Sequence, residues 1–192
     1  SKPLADAEGP ISGTEYMTHN NLRGSVCTAL FRKEILHDLR FPKGILHEDE
    51  EFTPQLMLRA ENLYFTNNKA YYYRKREGSI MHKRDKRWHI RRLADAEQVL
   101  YRLKERVDYL PVKERIAMER RIAQLTMDHI YNVITMTHDE THLNHVLQRL
   151  SRHGLFPLPD KDYTSKYKWF RRMTNSSFGR KTLIMLLRIN KG

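Results

Sequence analysis

The sequence predicts an α+β protein that is predominantly α. Residues 63–66 and 70–74 are two short runs of β-branched and aromatic residues, split by the turn signal Asn67-Asn68. From residue 83 onward, apolar residues return every three or four positions, the spacing of an amphipathic helix. Hydrophobic residues make up 40% of the 192 and charged residues 30%, which permits a buried core and excludes global disorder.

Residues 1–12 are rich in Pro, Gly and Ala and read as loop, the remnant of a linker. Thr14 is placed to cap a short helix reaching Asn20. Residues 26–31 read as a strand or buried segment, residues 33–39 as a helix, and 41–44 as a turn. Next come His47, Glu48, Asp49, Glu50 and Glu51, opening a helix that carries Phe52, Leu56 and Ala60 at four-residue steps. Thr53 and Pro54 are expected in its first turn, where a proline removes no hydrogen bond. Asn62 ends the pattern.

Beyond the paired runs, Leu93, Ala96, Leu100 and Leu103 mark one helix, ending near Pro111. Ile116, Ala123, Met127, Ile130 and Ile134 mark a second. A third starts near Asp139 with Leu143, Val146, Leu147 and Leu150 on one face and Gly154 as its C-cap. After a break at 156–159 the tail alternates Tyr163, Tyr167, Trp169 and Phe170 with Lys166, Lys168, Arg171 and Arg172, before the apolar run 183–187.

The single cysteine, Cys27, rules out an internal disulfide framework and fits a reducing compartment. No apolar run approaches the roughly 20 residues that cross a bilayer. The chain opens on Ser1 with no signal peptide, the expectation for a piece excised from a longer protein.

The acidic opening of one helix and the basic segment Arg74, Lys75, Arg76 at the end of the second run could face one cleft. Such a cleft suits a substrate that offers a hydroxyl and carries phosphate. The order His47-Glu48-Asp49-Glu50-Glu51-Phe52, then Tyr71-Tyr72-Tyr73-Arg74, Arg76, Gly78-Ser79-Ile80, resembles the second half of the catalytic domain of family 2 glycosyltransferases, the inverting GT-A enzymes of bacterial polysaccharide synthesis. The segments 13–17 and 24–32 resemble the stretch before their acidic motif. The resemblance covers about residues 12–82. It implies a partial, acceptor-side GT-A half of one helix and short strands at 1–82, followed by a helical basic extension at 83–192.

The resemblance implies transfer of a sugar, with inversion, from a nucleotide donor to a glycan or lipid-linked acceptor. The second residue of the Glu-Asp pair is the family's base, which here is Asp49, beside Glu48. A helix N-terminus favours the carboxylate form. Arg74 and Arg76 would neutralise the leaving diphosphate through guanidinium–phosphate contacts, and Ser79 would add a hydroxyl. No Asp-x-Asp occurs in residues 12–82, the stretch that carries the resemblance, so the expected Mg2+ or Mn2+ is assigned mainly to residues outside the chain, and the chain alone is expected to be inactive. The implied location is cytoplasmic, peripheral on the inner face of the membrane.

Net charge is +12, and residues 86–192 carry +11 of it. Residues 163–192 hold eight basic residues and no acidic one. Three readings of this half stay open: docking on an anionic membrane surface, a nucleic-acid-binding module, which no motif supports and the acidic loop opposes, and a structural or oligomerising appendage. A basic helical module without catalysis is thus the alternative to the transferase. His138-Asp139-Glu140-Thr141-His142 is similar to a zinc-protease His-Glu-x-x-His motif, but Asp139 stands where the catalytic glutamate belongs, and a hydrated helix start is the simpler reading.

Overall fold

A computed structural model describes residues 10–66, 68–69, 71–74 and 85–189. Seven α-helices occur among them: α1 Gly13–His19, α2 Glu48–Leu58, α3 Lys86–Val107, α4 Val112–Thr137, α5 Glu140–Arg152, α6 Ser165–Asn175 and α7 Ser177–Ile189. Helix α4, 26 residues long, packs against each of the other six. The main core is built along it: Leu100 and Leu103 from α3, Ile130 and Ile134 from α4, Leu143 and Leu150 from α5, Phe170 from α6 and Leu183 from α7.

The N-terminal elements close on the same helix. Met17 of α1 and Leu22 are buried with Ala117 of α4, while Phe52 and Leu56 of α2 form a small cluster with Leu39. The division expected at 82–83 falls outside the described residues.

The expected α+β fold, with a partial GT-A half of one helix and short strands at 1–82, is corrected: the regular elements among the described residues are all helical. Among the described residues there is no strand; an isolated antiparallel bridge between Ile11 and Leu63 is the sheet-like pairing present. Residues 64–66 and 71–74 carry no regular structure, and 26–31 contains instead the 3-10 turn Val26–Thr28. A two-stranded ribbon without a third strand or a covering face is marginal in water. Here Tyr64, Tyr71, Tyr72 and Tyr73 are all exposed, so no buried face holds the runs extended. The three consecutive tyrosines therefore lie outside the core. Nor is 33–39 an α-helix: it is the 3-10 turn Lys33–Leu36, followed by His37 at φ 43°.

Smaller corrections follow from hydrogen bonding. Ser12, not Thr14, caps α1, accepting from the Glu15 N–H. Helix α2 begins at Glu48, so Pro54 lies inside it rather than in the first turn. That proline leaves the Glu50 carbonyl without its helical donor. Four carboxylates fill the first turn instead, which suits the positive end of the helix dipole. Ile116 is exposed, and Ala117 and Met118 take the core-facing positions.

The ends of α5 follow their sequence signals. Asp139 caps α5 by accepting from the Thr141 and His142 N–H groups at 2.8 and 3.2 Å. After Arg152, Gly154 at φ 64° allows the Leu155 N–H to return to the Leu150 carbonyl.

Candidate functional site

The acidic segment begins in a loop clamped to α3. The Leu46 N–H donates to Asp95 Oδ2 at 2.8 Å, Arg91 donates to the Gly44 carbonyl at 2.8 Å, and Arg92 Nε donates to His47 Nε2 at 3.2 Å. His47 sits at φ 65°, a left-handed conformation uncommon for a non-glycine residue, and turns the chain into α2. Burial, helped by the nearby Arg92 charge, pulls its imidazole below the ordinary range, which keeps Nε2 available as an acceptor.

The four carboxylates that follow have different fates. Glu51 is buried and faces Arg102 of α3 at 3.4 Å. Glu50 pairs with Arg121 of α4, whose side chain is 3% exposed. Arg121 also donates to the Leu22 carbonyl and, at 3.0 Å, to Gln124. Burial pushes Glu50 up and Arg121 down, against the attraction of each for the other. Gly24 lies so close to the Glu50 carboxylate that a Cβ there would collide with it. Glu48 is exposed.

Asp49 is half-buried and makes no ion pair among the described residues. Burial first and Glu48 second raise its carboxyl above the ordinary aspartate value, outweighing backbone hydrogen bonds and the pull of Arg121. The helix start was expected to favour the carboxylate; desolvation proves the larger effect. Asp128 of α4, which also feels Arg121, is raised by burial too.

The structure therefore places Glu48 and Asp49 side by side at the start of α2, next to Glu50 and Glu51, which engage guanidinium groups of α4 and α3. Arg74, expected to face them, is exposed, and no contact between it and either carboxylate occurs among the described residues. Arg76 and Ser79 lie outside the described residues. Sequence reasoning missed Arg121, Arg102, Asp95 and Gly24. One signal for Arg121 was present: it falls three and four residues after Met118 and Ala117, on an apolar face where a lone arginine calls for a buried partner.

A second polar cluster sits within the helical half. Arg149 grips the Glu97 carboxylate with two bonds of 2.7 and 2.9 Å, Tyr101 donates to it, and His129 Nε2 stands 3.6 Å away. These groups border a cleft of about 930 Å³ between α3, α4 and α5, lined also by apolar side chains such as Leu93, Val133 and Val146 and by polar ones such as His89, Asp139 and His142. Burial alone would raise Glu97, but Arg149, His129 and Tyr101 override it and hold the carboxyl far below the usual range. Its stabilisation is therefore present above pH 4.5, the unfolded value, and is lost as pH falls below it. Glu97→Gln is expected to cost about 2 kcal/mol at neutral pH, the scale of hydrogen bonds to charged groups. Urea unfolding at pH 7 and in acid checks this, with the gap to wild type narrowing in acid.

No family model, characterised protein or solved structure matches this chain. Among the described residues, no three His, Cys, Asp or Glu side chains are grouped to hold a metal ion, and no helix is long and apolar enough to cross a membrane.

Proposed function

We propose that the chain is a fragment of a glycosyltransferase that moves a sugar, with inversion, from a nucleotide donor to a glycan or lipid-linked acceptor in surface polysaccharide synthesis. The observation that carries this reading is the division of labour at the start of α2. Glu50 and Glu51 are anchored to Arg121 and Arg102, while Asp49 between them and Glu48 is left without a cationic partner. A half-buried carboxylate with a raised pKa, in the first turn of a helix whose leading loop is clamped to α3, suits a general base.

In this reading the acceptor hydroxyl gives its proton to the Asp49 carboxylate as its oxygen bonds to the anomeric carbon. The bond from that carbon to the donor phosphate breaks on the opposite face, and the nucleoside diphosphate leaves. Glu48 would orient the acceptor. Arg74, Arg76 and Ser79 keep their expected role on the diphosphate, and the Mg2+ or Mn2+ of such an enzyme would be held mainly by residues outside this chain. The chain alone is accordingly expected to transfer no sugar.

The test is transfer of labelled sugars by the parent polypeptide, screened over nucleotide donors and acceptors, beside its Asp49→Asn variant. Turnover lost with nucleotide binding kept supports the reading. Unchanged turnover in the variant, or transfer by the chain alone, sinks it.

A further inference from the structure

We propose that α7, together with the exposed side of α6, docks on an anionic phospholipid surface. The argument rests on the tail itself and is independent of the transferase reading. At 100° per residue a helix has room for one packed face and one free face. In α7 the packed face carries Leu183, Ile184 and Leu187, all set against the core. The opposite side is apolar as well: Phe178 and Met185, within about 20° of each other around the axis, are 81% and 58% exposed. Leu186, also exposed, extends that side at its edge. A helix that is apolar on both faces is expected where a second apolar medium covers it.

Charge selects the medium. Lys181 and Arg188 lie along one edge of the exposed apolar side of α7, Arg188 also donating to the His138 carbonyl at 2.7 Å, and exposed Arg172 follows exposed Trp169 by three residues on α6. The carboxylates near this surface come from elsewhere in the chain: Asp160 engages Arg171, Asp162 engages Lys168, and Glu140 stands 4.0 Å from Lys181. Residues 163–192 add none of their own. Large apolar side chains interleaved with cations match the boundary between acyl chains and anionic headgroups. A nucleic acid would engage the cations and leave Phe178 and Met185 uncovered. A second copy would bring the same cations face to face.

The experiment is flotation of the 192-residue chain with vesicles of phosphatidylcholine, with and without phosphatidylglycerol, at low and high salt. Binding is expected only with phosphatidylglycerol and is expected to weaken with salt. Phe178→Ser/Met185→Ser and Arg172→Glu/Lys181→Glu should each lower partitioning about tenfold or more. These side chains are exposed, so the variants should keep the wild-type far-UV circular dichroism. Equal flotation on phosphatidylcholine alone, no flotation on the anionic vesicles, or variants that float like wild type would each overturn the proposal. So would a Phe178-dependent dimer that ignores vesicles, which would make a second copy the partner.

Discussion

Replacing Asp49 with Asn in the parent polypeptide is expected to lower the rate of sugar transfer by about 10²–10⁴, the usual contribution of a positioned general base. The amide keeps the size and the backbone contacts of the carboxylate but takes no proton. The loss should fall on kcat, with donor affinity little changed. The pH profile gives a sharper check. A base works deprotonated, so activity falls as pH drops through its pKa. Burial and Glu48 raise that pKa, so the acid limb should lie above the ordinary aspartate range of about 3.9. Glu48→Gln removes the repelling charge and should move the limb to lower pH. A limb that stays in place in Glu48→Gln would show that another group sets it.

The largest effect on stability is expected at Arg121. Arg121→Met leaves Glu50 facing a partly buried site with no cation, and breaking such a pair costs about 3–5 kcal/mol. The lower end applies, because the Glu50 side chain keeps 26% exposure and water can reach it. Urea denaturation followed by circular dichroism reads the change directly. The double variant Glu50→Met/Arg121→Met should recover much of the loss, since two apolar side chains leave no stranded charge. A single variant as stable as wild type would show that the pair contributes nothing to holding the start of α2.

The two halves of the chain were unequally legible. In α3, α4 and α5 each turn repeats the same demand, so Leu100, Leu103, Ile130, Ile134, Leu143 and Leu150 could be placed in the core from spacing alone. Asp139 and Gly154 likewise announce the ends of α5. The runs 63–66 and 70–74 misled because β propensity describes a residue's fit to a sheet, and it cannot supply the neighbouring strand. At α2 the acidic opening was legible, but Pro54 was expected in the first turn, a place that its four preceding acids hold.

At the candidate site, Asp49 and Glu48 could be picked out by pattern, but their surroundings could not. Which arginine meets which glutamate is decided by how α2 lies across α3 and α4, and Glu50 and Arg121 stand 71 residues apart. Nothing local in either segment encodes the other. The direction of the Asp49 shift was missed for the same reason: the helix end is visible in sequence, whereas the depth of burial is a property of the packed molecule.

The segment from Gly44 to Glu51, a loop and the first turn of α2, takes its long-range side-chain fastenings from α3 and α4. Its fastenings reach back from residues 45 to 71 positions later in the chain. Closing such long segments costs entropy before any contact repays it. The acidic segment should therefore be among the last parts to gain order as the chain folds, and among the first to lose it when α4 loosens. Amide exchange at residues 46–50 would then serve as a gauge of the whole helical body: a weakened core, however distant, would show itself at Asp49.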